Sequence, residues 1–580
     1  MFEGGKQSLT VQNNDTQGVA LVRAGSHALF VGGSYSFNHD TGIALTRVDG
    51  DLSLDSVVAL ANGGDGLLAW PDGQSTVAGQ ISVNNSQFSY NAGSGFFIHE
   101  AGSTGAKIVD SQFNKNGDTN LILRYVNGVV DFDHVSAIGS QSGFGAALHL
   151  STSGQFHDTD GEYGANAQSG LHLFDVGDVT LTRTTADGNG GRGVEADQGI
   201  KGELVADGVR LRKNGGAGMW VTAASSIEFH DAPAFATEVT GNGGNGLFVG
   251  DGGSHATITG GSFSYNVGDN VRIGIVDDAV TIAGATLDGS VAGNGLNLLS
   301  AGSLSISDSE FSNNFNDGIQ FEKLLGDLSL TSVVADGNGG SGAYTWADNN
   351  MAVGGQISVV DTQMNANGGS GLFLHGLGGA GTSIAGSTFD FNHDSNLVLR
   401  YAKGLVDFNQ VSAVGSQTGY GAALHLTTNG QFHDTYGYYS QNQMAGVHLY
   451  DTGNVTLNRT IADANGGRGV EAEDGIAGAL VADGVRLRNN GSDGMWVAIA
   501  DSVEFHNAPG DATEVTGNAG QGLYVINGGS HVTLSGGSFS SNGGDNVHLI
   551  HATGPVTLSN VKLDGSVAGN GLNLLSAGSL

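Results

Sequence analysis

Five side chains with the chemistry to act on an acidic sugar follow one another along the chain: Arg124, Tyr125, His149, His172 and Glu195. A uronate lyase or C5-epimerase needs such a set. Arginine would neutralise the sugar carboxylate, histidine or tyrosine would remove the C5 proton, and another such group would protonate the leaving oxygen. In a second interpretation, Glu195 raises the pKa of the neighbouring His172. A third involves no chemistry and treats the group as the polar edge where strands turn into loops.

The same residue types recur at a constant offset (400 − 124 = 276), as Arg400, Tyr401, His425, His448 and Glu471. His99 and His375 stand one repeat before the two arginines. If His99 and His149 converge on Arg124, the pKa values of both histidines should fall below their usual value of about 6.5.

The elements that would position these residues follow from a repeated phrase: Asn, three residues, Gly, then apolar-x-apolar. We count the Gly or Asn that opens the apolar triplet as the zero position. The phrase occurs 23 times from Gly18 to Gly571, at intervals of 23 to 29 residues. Asn stands four residues before zero in 19 of these phrases, and the exceptions are Gln141, Val291, Gln417 and Val567. A fixed period of this size indicates a solenoid.

Apolar residues stand at positions +1 and +3, for example Leu171 and Leu173, which is typical of a strand with one buried face. A second alternating run follows, as at 179–181, and a third precedes the asparagine, as at 111–113. Three short strands per turn predict an all-β fold, a right-handed parallel β-helix (solenoid) of about 23 coils of about 25 residues. The asparagine column should form a hydrogen-bonded ladder.

A longer period divides the chain. DGSVAGNGLNLLSAGSL occupies 288–304 and returns unchanged at 564–580. We expect a first 11-coil unit at 1–287 with a short N-terminal lead-in, a second at 288–563, and the truncated start of a third at 564–580. On this interpretation the chain is a piece of a longer tandem array. The longest intervals, 66–95, 218–246 and their copies, should carry projecting loops at one azimuth of the coil.

The pattern N-x-x-x-G-[LIV]-x-[LIV] resembles the repeat of the right-handed parallel β-helix superfamily. That superfamily includes pectate-lyase-like enzymes, mannuronan epimerases, phage tailspikes and large secreted bacterial tandem-repeat surface proteins. The resemblance covers nearly the whole chain and implies the fold, which hosts many functions. The chain lacks the Asp-Pro-His-Glu run of the epimerases, a match to the calcium carboxylates and catalytic arginine of pectate lyases, and tandem G-G-x-G-x-D repeats.

Position +2 of the first strand should face solvent and form a stripe on which sugar rings could stack. Its aromatic members are the candidate glycan-binding residues Trp220, Phe248, Tyr344, Phe373, Trp496 and Tyr524. The alternative is that these rings stabilise the strand ladder by stacking on each other.

Composition limits the partners. The net charge of 21 − 56 = −35 disfavours nucleic acid and anionic lipid. Cysteine is absent, which excludes disulfides and thiolate metal sites and suits an exported bacterial protein. No long apolar run predicts membrane insertion, and the first residues contain no apolar core of a signal peptide.

These observations favour a structural or adhesive repeat region, a stiff acidic rod belonging to a large exported bacterial surface protein or filament at the cell surface. The alternatives are a polysaccharide-active enzyme, a uronate lyase or C5-epimerase, and a non-catalytic glycan-binding β-helix. The expected partners are polysaccharide or neighbouring repeat units. No cofactor or metal site is predicted. Calcium between stacked acidic turns stays open, although no motif supports it.

Overall fold

The computed structural model describes residues 9–71, 76–101, 104–151, 154–346, 351–427 and 430–580, together with the backbone of 2–3. It divides into two compact units, Met1–Gly293 and Asn294–Leu580. The chain is an all-β parallel solenoid of about 22 turns, which confirms the predicted fold class. Within the described residues there is no helix, and hence none that could span a membrane.

Strands of the first face begin directly after the zero position and pair in parallel with their copies in the next coil. In the first unit they are Val19–Leu21, Ile43–Leu45, Leu67–Ala69, Phe96–Ile98, Leu121–Val126, Ala146–Leu150, Leu171–Phe174, Val194–Ala196, Met219–Ala223, Leu247–Asp251 and Val271–Ile275. In the second unit they are Leu296–Ala301, Ile319–Leu324, Ala343–Thr345, Leu372–His375, Leu397–Ala402, Ala422–Leu426, Val447–Tyr450, Val470–Ala472, Met495–His506, Leu523–Asn527, Val547–His551 and Leu572–Leu574.

Strands of the second face follow in each coil. In the first unit they are Phe2–Glu3, His27–Val31, Asp51–Asp55, Ile81–Asn84, Ala106–Val109, Val130–Asp133, Phe156–Thr159, Val179–Thr182, Glu203–Asp207, Ser226–His230, His255–Thr259 and Ala279–Ala283. In the second unit they are Ser303–Ser307, Leu328–Thr331, Ile357–Val360, Thr382–Ala385, Leu405–Asn409, Gln431–Thr435, Val455–Asn458, Ile476–Asp483, His531–Ser535 and Val556–Ser559. Met495–His506 runs through both faces, because it pairs with Leu523–Asn527 and with His531–Ser535.

The third face contains fewer regular strands than the sequence predicts. Its regular strands are Val58–Leu60, Gln87–Ser89, Arg486–Arg488, Glu514–Thr516, Ser538–Ser540 and Lys562–Asp564. Elsewhere the predicted third strand is a single parallel bridge per coil, such as Gln112↔Ser136. Alternation marks an extended segment, but it does not fix how many residues keep ladder geometry before the chain turns.

The interior of each coil is filled by the +1 and +3 side chains. Leu171 and Leu173 are fully buried, as the alternation predicts. Rings also stack inside the coil, with the centroids of Phe88 and Phe113 5.6 Å apart and their planes nearly parallel. Truncating such a leucine to alanine typically costs about 2–5 kcal/mol, so this packing holds the outer columns in register.

The asparagine column forms the predicted ladder. The side-chain amide of Asn91, for example, donates to Asn116 Oδ1 at 3.0 Å, and the Asn91 backbone N–H donates to the same oxygen. These amides are buried, so each bond satisfies groups that water cannot reach.

The longest coils place their extra residues at two different corners, and the expectation of a single azimuth is wrong. In the interval 218–246 the extra residues form a tight turn after the second-face strand, closed by bonds between Ala232 and Phe235. In 66–95 and 342–371 the insertion follows the first-face strand instead. Its residues 72–75 and 347–350 lie outside the described part of the chain.

Candidate functional site

Most of the candidate side chains lie at or beside position +4 of the first-face strands, and we call the set of +4 residues the +4 column. In the first unit its members on six successive coils are Trp70, His99, Arg124, His149, Phe174 and Asp197. In the second unit they are Trp346, His375, Arg400, His425, Tyr450 and Glu473. Sequence reasoning found the central His-Arg-His but missed the aromatic and acidic ends, although the same count from zero reaches them.

A β-bulge turns two consecutive side chains outward at the centre of this column. The register shifts between Arg124 and Val126, and Tyr125 takes a left-handed conformation (φ 61°). Arg124 and Tyr125 are therefore both exposed, where a regular strand would bury one of them. Arg400 and Tyr401 repeat this geometry. Sequence gave no sign of the bulge.

Rings of the +4 column, together with Tyr125, contact one another from coil to coil. Ring centroids lie 4.5 Å apart for Trp70 and His99, 5.5 Å for His99 and Tyr125, 4.5 Å for Tyr125 and His149, and 4.3 Å for His149 and Phe174. The second unit repeats the four contacts, at 4.3, 5.1, 4.5 and 4.5 Å. The result is a ladder of rings with polar edges, a surface suited to a sugar chain.

A cleft of about 360 Å³ opens beside the ladder in the first unit. Its base is at Ala147, a small +2 residue between Ile122 and His172 in the strand register. Phe144 and His172 stack at 4.5 Å along one wall. The remaining lining side chains include Arg124, His149, Phe174, Asp118, Thr119 and Gln168. Three of the five predicted side chains, Arg124, His149 and His172, thus line one cleft, and Tyr125 contacts His149 beside it.

Arg124 has a free positive charge. In the described part of the chain, ten other arginines lie within ion-pair distance of a carboxylate. No carboxylate of the described residues lies within that distance of Arg124 or Arg400. Instead, the Arg124 guanidinium lies 5.4 Å from the centroid of Phe97. In a chain of net charge −35, an exposed arginine without a carboxylate leaves its donors for an anionic ligand.

Burial lowers the pKa of His149, and Arg124 lowers it further, while Asp175 acts in the opposite direction. His425 is shifted downward in the same way, again mainly by burial. For His149 the direction agrees with the expectation for a histidine close to an arginine, but desolvation is the larger cause. The imidazole is therefore predominantly neutral at pH 7 and can accept a proton.

Glu195 stands next to His172 in register, yet its carboxylate is engaged elsewhere. Arg192 pairs with one oxygen, and Ser169 Oγ donates to the other at 2.5 Å. The carboxylate that approaches His172 Nε2 is Asp197, at 3.6 Å. In the second unit Glu473 lies 3.1 Å from His448 Nε2, while Arg468 pairs with Glu471.

Among the residues that the structure describes, two groups have metal-ligating atoms within 4.8 Å of one another: His172 with Glu195 and Asp197, and Asp133 with His134 and Asp160. An arginine already pairs with one carboxylate in each group, Arg192 in the first and Arg183 in the second. A cation would have to displace that arginine, so neither group argues for a metal centre.

The +2 aromatics have their faces covered by protein groups. Trp220 stacks on Phe248 at 3.7 Å, and the Arg192 guanidinium lies 4.3 Å from its centroid. Phe373 packs against Tyr344 at 5.3 Å. In the second unit, Trp496 lies 4.4 Å from the Arg468 guanidinium, and Tyr524 contacts His548 at 4.9 Å. This geometry favours the alternative in which the stripe stabilises the strand ladder.

Residues 72–232 match the family model described as the right-handed beta helix region, a segment that includes most of the first +4 column. No curated protein matches the chain. Together with the parallel solenoid, this match indicates right-handed coils and supports the predicted resemblance to right-handed parallel β-helix proteins. A right-handed β-helix is compatible with surface proteins and with polysaccharide-related proteins.

Proposed function

We propose that each unit binds an acidic polysaccharide along its +4 column, and that the chain is a structural or adhesive repeat region of an exported bacterial surface protein. One observation carries the ligand class: the exposed, unpaired arginine, Arg124 or Arg400, at the edge of an aromatic cleft. A planar guanidinium offers two parallel N–H donors to a sugar carboxylate.

The remaining groups of the column complete the recognition. Tyr125 is largely exposed and Phe174 lines the cleft, so the apolar face of a sugar can pack against both rings, as it does on aromatic residues in many ligand sites. His149 supplies a polar nitrogen for a ring hydroxyl. The repetition of this set in two units supports multivalent binding of a long polymer, in which weak sites add to a high avidity.

Support for the surface location comes from composition. The chain is strongly acidic, contains no cysteine and consists of tandem units. A high net negative charge favours solubility and disfavours polyanions in general, so binding of a uronate polymer depends on the local positive charge of Arg124 or Arg400.

The test is calorimetric titration of the chain with a polyuronate and with a neutral polysaccharide of similar length. We expect binding of the polyuronate only, and a loss of roughly tenfold or more in affinity for Arg124→Ala/Arg400→Ala. Arg23→Ala/Arg459→Ala is the matched control, because it removes two arginines that lie outside the cleft and pair with Asp49 and Asp511. Equal binding of both polymers, or equal loss in both double variants, contradicts the proposal.

A second candidate function is catalysis on the same ligand, as a uronate lyase or C5-epimerase. The observation that favours it is the neutral His149 beside Arg124, since a neutral imidazole can remove the C5 proton while the guanidinium stabilises the resulting negative charge. Incubation with polyuronate in deuterated water distinguishes the cases. New ultraviolet absorbance marks a lyase, deuterium at C5 marks an epimerase, and neither marks a binding protein.

A further inference from the structure

We infer that the two clefts select different sugar substituents: the cleft of the first unit accepts a uronate carrying an O-acyl group, and that of the second admits only a uronate with free hydroxyls. This inference rests on the proposed function and names the ligand class of each cleft. It follows from differences between two otherwise corresponding sites.

The first difference is room. The cleft of the first unit measures about 360 Å³ and that of the second about 240 Å³. Phe144 and Phe174 line the larger cleft, and Tyr420 and Tyr450 stand at the corresponding positions of the smaller one. Each tyrosine adds a hydroxyl to the lining, so the narrower cleft has less space for a substituent on the sugar.

The second difference is a polar interaction at the rim of the second cleft. The Asp474 carboxylate interacts with the hydroxyl of Tyr450 and raises the pKa of that phenol. In the first unit both members of this pair are changed, to Phe174 and Gln198. Phe174 has no hydroxyl for such an interaction, so the walls of the two clefts differ in polarity as well as in size.

The third difference is the polar groups offered to the ligand. Gln168 lines the first cleft, and its amide uses one N–H to reach the Ser142 carbonyl at 2.9 Å, which leaves a second N–H for an acyl oxygen. Met444 stands at the corresponding position in the second unit and has no such donor. The two phenols there suit free ring hydroxyls instead, and a site built for a hydroxyl rejects a ligand in which that hydroxyl is masked.

The experiment uses the full chain with one cleft disabled at a time. Arg400→Ala leaves only the first cleft, and Arg124→Ala leaves only the second. Each variant is titrated with short oligouronates, either bare or chemically O-acetylated, and thermal melting checks that it is folded. We expect Arg400→Ala to bind both forms with similar affinity. We expect Arg124→Ala to bind the acetylated form about tenfold or more weakly than the bare form.

Transfer of the selectivity tests the cause. Adding Phe144→Tyr, Phe174→Tyr and Gln198→Asp to Arg400→Ala should make that chain reject the acetylated form. Tyr420→Phe, Tyr450→Phe and Asp474→Gln should relax Arg124→Ala. The same acetylated-to-bare ratio in the two single-cleft chains overturns the inference while the proposed function stands. Absence of binding to either form by the unmodified chain removes the proposed function and the inference with it.

Discussion

The side-chain amide of Asn120 donates to Asn166 Oδ1 at 3.0 Å and so spans the coil in which Gln141 replaces the ladder asparagine. Asn120 occupies a zero position, where glycine is usual, and its own oxygen accepts from Asn116. Asn396 makes the same bridge to Asn442 across the coil with Gln417. In these two coils the ladder is therefore rerouted through the zero position. In the coils with Val291 and Val567, the zero-position amides of Asn270 and Asn546 donate to the backbone carbonyls of Asp288 and Asp564.

This relationship predicts a loss of stability for Asn120→Gly. The substitution restores the residue type usual at zero but removes the acceptor for the buried N–H groups of Asn116. Leaving such groups unpaired costs about 1–3 kcal/mol, which should lower the thermal midpoint of the first unit. Asn127→Gly, at an exposed position, is the control and should change the midpoint little. Equal effects of the two substitutions would contradict the rerouted ladder.

Buried carboxyl groups predict a pH dependence of stability. Asp158 lies in the core, where its oxygens accept from Tyr163 and Thr184 at 2.6 Å, and burial raises its pKa to about 6. The unfolded chain binds this proton with a pKa of about 3.9, so the folded state holds it more tightly. The contribution to stability is full below about pH 4 and is lost as the pH rises through about 6.

The measurement is the urea midpoint of the chain at several pH values, compared with Asp158→Asn/Asp434→Asn, because Asp434 repeats the environment and also has its pKa raised to about 6. The double variant should lose less stability than the parent chain between about pH 4 and pH 7. Asp277→Asn, an exposed carboxylate, should leave the slope unchanged. A parent chain and double variant with parallel profiles would show that the two carboxyls do not titrate in this range.

Binding of a polyuronate should strengthen as the pH falls. The pKa of His149 is lowered in the free chain by burial and by Arg124, and a bound carboxylate beside it would raise that pKa. The bound state then takes up a proton, so affinity increases as the pH falls through the pKa of the complex. His149→Gln/His425→Gln should flatten the dependence of Kd between about pH 5 and pH 7.5. An unchanged slope in this variant would place the histidines away from the ligand.

Substitutions of Tyr125 and of Trp220 should have opposite effects, the first on the affinity for polyuronate and the second on the thermal midpoint. Tyr125 is 46 % exposed, and Tyr125→Ala/Tyr401→Ala should weaken polyuronate binding by roughly tenfold with little change in the thermal midpoint. Trp220 is covered by Arg192 and Phe248, so Trp220→Ala should lower the midpoint and leave the affinity nearly unchanged. Titration and melting of the same samples check both. If Trp220→Ala instead weakened binding and the tyrosine variant lowered only the midpoint, the +2 stripe would be the glycan-binding surface.

The sequence by itself determined the solenoid, because a period set by Leu171 and its equivalents admits one way to bury every +1 and +3 side chain. The repeated asparagine also predicted the hydrogen-bonded ladder, and the sequence includes Asn120, whose amide bridges the coil in which the ladder asparagine is missing. Only the tertiary structure decided which exposed column is a site. Whether a ring such as Trp220 is covered depends on side-chain directions across coils, and the outward turn of both Arg124 and Tyr125 depends on a bulge. Neither leaves a mark in one-dimensional periodicity, since both arise from contacts between residues about 25 positions apart.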